Sequence, residues 1–262
     1  MSIDSLEGAA GPLRYPDFLI IGAPKCGTSW LQGALGQHPN VIVVPDEIEY
    51  FSSNFKKQPI EWYSSQFEAQ VREDAPRKAT PFLVGEKSAR YCSVPPDRIR
   101  IVHRLLPDIR LVMMTRDPVD RHWAHAKQYF SKPRIAEKEG GDVLTVRRER
   151  LFDFMTRSRF LGNFATMIGN WTAVYPPGQL LLVSQEFAAA NPRDAYDAVL
   201  THFGLPTDYD PEPIRLLRKK RNSGPTIEMP ADVREFLEKL FPVERQELRA
   251  LMAGQGVIQA SR

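Results

Sequence analysis

The chain has 262 residues, 42% of them hydrophobic and 26% charged, a composition that excludes collagen-like and disordered classes. Its 35 basic and 32 acidic side chains leave a formal charge of +3, which suits a small anionic ligand and no nucleic acid. No apolar run approaches the ~20 residues of a membrane helix, no signal-peptide pattern opens the chain, and two cysteines build no disulfide framework, so a cytoplasmic protein without stable membrane insertion is expected.

Residues 1–15 read as a loose arm. The apolar run from Asp17 to Gly22 reads as a buried strand, Ala23–Thr28 as a tight loop and Ser29–Gln37 as a helix. A second strand, Val41–Val44, ends at Pro45, and an aromatic-rich helix covers 59–68. Phe82–Gly85 is a third, short strand, and Pro96–Leu106 a helix stopped by Pro107. Arg110–Thr115 is a fourth strand, followed by a helix from Pro118 to about Phe130.

The charge-rich stretch 132–150, with Gly140 and Gly141, reads as a mobile surface segment. Beyond it come a helix over Gly162–Val174, a strand over Gln179–Ser184 and a helix over Ala195–Phe203. Residues 215–225 form a basic loop, and Ala231–Met252 has helical spacing broken near Pro242. Alternating strands and helices predict an α/β fold in one domain over 1–262. Its P-loop-type, mainly parallel sheet is flanked by helices on both faces.

Gly22-Ala-Pro-Lys-Cys-Gly-Thr-Ser29 lies between a strand and a helix. Such a loop turns several backbone N–H groups toward one concavity at a helix N-terminus, where phosphate binds. The spacing of Gly22 and Gly27 equals that of a Walker A loop, but Thr28 and Ser29 stand where Walker A needs Lys and Ser/Thr. The lysine sits inside the turn as Lys25. There it can neutralise a transferred group without a metal, while Thr28 and Ser29 hydrogen-bond a phosphate. At the end of the fourth strand Arg116 can grip a second anion bidentately. Arg121 can do the same or pair with Asp117 or Asp120. After the second strand come Asp46, Glu47 and Glu49, and a carboxylate there can take a proton from a hydroxyl.

Pro24-Lys-Cys-Gly-Thr-Ser-Trp-Leu31 resembles the 5′-phosphosulfate loop of sulfotransferases that use 3′-phosphoadenosine 5′-phosphosulfate (PAPS), above all the carbohydrate and heparan-sulfate type and its bacterial relatives. The resemblance implies sulfuryl transfer to an acceptor hydroxyl of a glycan, glycolipid or small alcohol or phenol, leaving adenosine 3′,5′-bisphosphate. It implies donor binding by Pro24, Lys25, Cys26, Gly27, Thr28 and Ser29, with no metal required. Arg116 and Pro118 match the 3′-phosphate segment, but position 124, a serine in the family, is alanine here. The run Arg218–Pro225 matches a closing basic loop, with Lys219, Lys220 and Arg221 as 3′-phosphate contacts. Glu47 falls at the general base, and Lys87, in Gly85-Glu-Lys-Ser-Ala-Arg-Tyr91, can face the sulfuryl group or the acceptor. Two other readings stand beside this one: a P-loop kinase or NTPase, and a nucleotide-binding protein without catalysis on the same scaffold.

Overall fold

The computed structural model describes residues 13–212, 214, 227–253 and 255–259. Six strands form one sheet in the order β2-β3-β1-β4-β5-β6. They are β1 (Phe18–Gly22), β2 (Val41–Val43), β3 (Leu83–Lys87), β4 (Arg110–Thr115), β5 (Leu180–Ser184) and β6 (Val257–Gln259). The first five run parallel, and β6 adds an antiparallel edge. The central strands are continuous apolar runs because helices cover them: every residue of β1 is buried.

From β1 through α1 (Thr28–Gln37) the chain travels toward the β2 edge; from β3 through α3 (Pro96–Leu105) it travels the other way to β4. Right-handed crossovers in opposite directions put α1 and α3 on opposite faces. The reversal also opens a crevice at the carboxyl ends of β1 and β4, where open α/β sheets bind ligands. Helix α2 (Ile60–Asp74) precedes β3, and the helix α4 (Pro118–Phe130) follows β4. The carboxylate of Asp117 caps α4 by accepting from Val119 N at 2.9 Å, with Pro118 in the first turn.

Several sequence expectations change. Residues 13–15 are not a free arm: Leu13 and Tyr15 pack on the core, and Arg14 N donates to Ser64 Oγ at 2.8 Å. The stretch 132–150 contains α5 (Pro133–Glu139), buries Val143 and Val146, and enters α6 (Arg148–Arg157). Its two valines and Leu151 and Met155 are enough to pin it beneath α4, an apolar signal diluted by the surrounding charge. Beyond α7 (Phe164–Thr172) and β5, a short α8 (Gln185–Ala190) precedes α9 (Pro192–Phe203). The break at Pro242 stands, separating α10 (Ala231–Leu240) from α11 (Pro242–Met252). Arg245 of α11 reaches Asp117 at 2.9 Å, tying the end of the chain to the start of α4. No helix among the described residues is long and apolar enough to cross a membrane.

Candidate functional site

The loop between β1 and α1 is held in an uncommon shape. Lys25 has φ +70° and Gly27 φ +93°, both left-handed. A Cβ at position 27 would also approach Met114 Cε to 3.3 Å, so glycine suits that position on two counts. A lysine in this region costs roughly 1–2 kcal/mol, and two arginines hold it there. Arg121 Nε donates to the carbonyl of Pro24 at 3.1 Å, and Arg116 Nη1 donates to the carbonyl of Lys25 at 3.1 Å. With two successive carbonyls engaged, the N–H groups of Lys25, Gly27, Thr28 and Ser29 keep no backbone acceptor among the described residues. They and the first turn of α1 form a nest for an anion.

Arg121 carries the clearest sign of an anion. Its side chain is fully buried, yet Nη1 and Nη2 have no partner among the described residues. Asp117 pairs with Arg245 instead, and Asp120 lies 4.0 Å from Arg234. Burial lowers the pKa of Arg121 to about 10. Lys25, beside it, is also lowered, first by burial and then by Arg116, Arg121 and Lys127. A buried guanidinium and a crowded ammonium next to an N–H nest form a donor set that fits a phosphosulfate.

The loop opens onto a cleft of about 970 Å³ lined by Lys25, Thr28, Ser29, Glu47 and Arg121. Helix α4 gives it a row at helical spacing: Arg121, His125, Gln128 and Lys132 just past its end. Glu47 is held from two sides. Its Oε1 accepts from Lys87 Nζ at 2.5 Å, and its Oε2 from Ala89 N at 3.2 Å. Lys87 is buried while Glu47 keeps about a third of its side chain open, so the lysine is anchored and the carboxylate faces the cleft. Glu49 turns to Ser53 Oγ at 2.5 Å and to Arg90 at 3.5 Å, and Asp46 is exposed.

Lys25, Thr28, Ser29 and Glu47 thus meet at one cleft, with Lys87 behind Glu47. Cys26 is buried, its thiol 3.7 Å from Pro24 O, and burial pushes that thiol up; it packs the loop from below. Arg116 supports the loop rather than lining the cleft. Lys219, Lys220 and Arg221 lie outside the described residues. His122 is fixed between the carbonyls of Pro118 and Ser158 at 2.9 and 3.0 Å, and burial lowers its pKa to about 4. Among the described residues no three His, Cys, Asp or Glu side chains gather as a metal-binding group. The hold of Arg121 on Pro24 was not legible in the sequence. Its only trace is its place five residues after Arg116, in the first turn of α4.

Comparison with known proteins points to one family. A family model described as Sulfotransferase domain matches residues 15–223. The chain is 26% identical over 208 residues to bifunctional heparan sulfate N-deacetylase/N-sulfotransferase 3 of Mus musculus, covering 75% of this chain and 23% of that protein. It is 29% identical over 208 residues to heparan sulfate glucosamine 3-O-sulfotransferase 3B1 of Mus musculus, covering 78% and 50%. The match therefore spans from 23% to 50% of the length of these relatives. The crystal structure of a sulfotransferase from Alicyclobacillus acidocaldarius superposes with a TM-score of 0.67 at 23% identity, covering 92% of this chain and 97% of that one. Mouse sulfotransferase SULT7A1 complexed with PAP gives 0.53 at 13% identity, covering 90% of each chain. At these identities the two structures speak for the fold.

Proposed function

The chain belongs to the sulfotransferase domain family, and from that premise we propose that it moves a sulfuryl group from PAPS to an acceptor hydroxyl as a single catalytic unit. The observation that carries the reading is Lys25: it stands inside the turn, and the cleft that it lines also receives the carboxylate of Glu47. PAPS supplies an activated sulfuryl group and leaves as adenosine 3′,5′-bisphosphate.

The chain's own residues have separate tasks. The N–H groups of Lys25, Gly27, Thr28 and Ser29, with the hydroxyls of Thr28 and Ser29, bind the 5′-phosphosulfate. Lys25 and the open edge of Arg121 neutralise charge as it grows on the bridging oxygen. Glu47 accepts the proton of the acceptor hydroxyl, and Lys87 keeps that carboxylate in place. Arg116, through the nitrogens not used on the loop, and Lys219, Lys220 and Arg221 bind the 3′-phosphate. No step in this scheme calls for a metal. Phe51, Phe154 and Phe160 beside Arg98 and Lys132 give the acceptor side of the cleft both apolar and cationic walls. These walls suit a glycan or a small alcohol or phenol, and the names of the heparan sulfate relatives favour the glycan.

The test uses two measurements. Thermal shift with EDTA present should show stabilisation by adenosine 3′,5′-bisphosphate; stabilisation by Mg·ATP alone would replace this reading with a kinase. Radiolabelled sulfate should pass from PAPS to at least one of a heparosan oligosaccharide, 4-nitrophenol and dodecanol. Tight nucleotide binding with no transfer across that panel would mark a binding protein.

A further inference from the structure

The segment that carries Glu47 is gripped by three consecutive residues at the end of β3. Lys87 holds Glu47 itself at 2.5 Å. Ser88 Oγ accepts from Glu49 N at 2.9 Å and donates to Glu86 Oε2 at 2.6 Å. Glu86 Oε1 accepts from Tyr63 OH at 2.8 Å and from Tyr91 OH at 3.0 Å. Tyr91 OH in turn accepts from Phe51 N at 3.4 Å. Alternate residues of a strand face opposite sides, so Glu86 and Lys87 seize the segment from both faces of β3.

Glu86 is fully buried, and no cation is among the groups that bond to it. An isolated buried carboxylate is expensive, and three hydroxyls are what make it tolerable. Burial raises its pKa to about 7. The proposed chemistry does not use this side chain: it contacts neither the loop nor the cleft. A hydrophobic residue would fill the space among Tyr63, Tyr91 and β3 without that cost. What such a residue could not do is hold, through Ser88 and Tyr91, the backbone of Glu49 and Phe51. Those groups lie just after Glu47 in the chain.

We propose that Glu86 is a positioning residue for catalysis, which acts through the 47–51 segment to set the carboxylate of Glu47 against the acceptor hydroxyl. The proposal rests on the reading of Glu47 as the base. An ionised carboxylate only accepts, so it satisfies every surrounding donor at once; an amide of the same shape must turn an NH₂ toward at least one of them. Ser88 and Tyr91, hydroxyls that would have to turn to meet it, also hold the N–H groups of Glu49 and Phe51, which can only donate. The loss therefore falls on the segment.

The experiment is a double-mutant cycle with E86Q, E47Q and the pair, using whichever of heparosan oligosaccharide, 4-nitrophenol and dodecanol turns over fastest. E86Q should lower kcat about tenfold while the KM for acceptor and the affinity for adenosine 3′,5′-bisphosphate stay within about twofold. In the E47Q background E86Q should cost nothing further, because a residue that acts through Glu47 has no effect once Glu47 is gone. Hydrogen exchange should quicken at 47–52 and stay unchanged at 23–29. S88A, which keeps the buried charge, should reproduce part of the kcat loss if E86Q folds poorly. An equal loss in both backgrounds, or unchanged exchange at 47–52, overturns the proposal while leaving the base reading intact. Normal turnover in E47Q overturns both.

Discussion

Replacing Arg121 with methionine separates the cost of a buried charge from its use. The pKa of Arg121 falls from 12.5 to about 10, with burial as the first cause. At about 1.4 kcal/mol per unit, holding that charge inside the fold costs roughly 3 kcal/mol at neutral pH. The bond from Nε to Pro24 O returns ~1.5–3 kcal/mol, the range for a charge-assisted bond. Methionine matches the stem and makes neither contribution. In the absence of ligand R121M should therefore be as stable as the parent within ~1–2 kcal/mol. Donor binding should behave otherwise. The carbonyl of Pro24 is released, and the two open guanidinium nitrogens are lost. An affinity for adenosine 3′,5′-bisphosphate weaker by about 10- to 100-fold is expected, the worth of one or two charge-assisted bonds. Urea denaturation and titration calorimetry on the same samples give both numbers. A variant that loses more than ~4 kcal/mol while binding the nucleotide normally would refute the reasoning, because Arg121 would then be a structural side chain alone.

K25A and E47Q should each lower turnover by ~10²-fold or more, measured as radiolabelled transfer under saturating donor. Stability should also depend on pH in two opposing ways. The pKa of Glu86 is raised from 4.5 to about 7, so its contribution is fully present below 4.5 and lost as pH rises to 7. His122 is lowered from 6.5 to about 4, so its contribution is present above 6.5 and lost as pH falls to 4. Each is worth about 3 kcal/mol, and calorimetry of E86Q should show it gaining that amount relative to the parent between pH 4 and 8. An E86Q curve parallel to the parent's would contradict the raised pKa. Finally, a Cβ at Gly85 would sit 2.6 Å from the Phe18 ring at the centre of the sheet. G85A should cost ~1–3 kcal/mol in urea denaturation through that overlap, and an unchanged midpoint would show that the strands can shift to admit a methyl group.

The readable parts of the molecule were those written in adjacent residues. The β1 run, the turn with Lys25 and the proline start of α4 each fit within a short window, and the structure keeps them. A carboxylate after the second strand was readable from its position, and only the family resemblance picked Glu47 from Asp46, Glu47 and Glu49. Glu86 looked like an extension past the third strand, yet it lies inside β3 and meets Tyr63 and Tyr91. Its significance depends on partners 5 to 23 residues away along the chain, which no local pattern records. Arg121 was ambiguous for the same reason. Whether it met a carboxylate or a carbonyl depended on Arg234 and Arg245 claiming the nearby aspartates, and both come from the far end of the sequence. The helices in 132–150 were hidden by charge, because four buried apolar side chains decided the packing where the rest of the segment is solvated.

The reach of Arg245 to Asp117 means that the start of α4 is fastened by a residue more than a hundred positions downstream. That start also presents Arg121 to the turn. The last helix among the described residues is therefore a latch on the turn that holds Lys25, and R245A should loosen that turn. Translation must therefore pass Arg245 before the fastening of this turn can form.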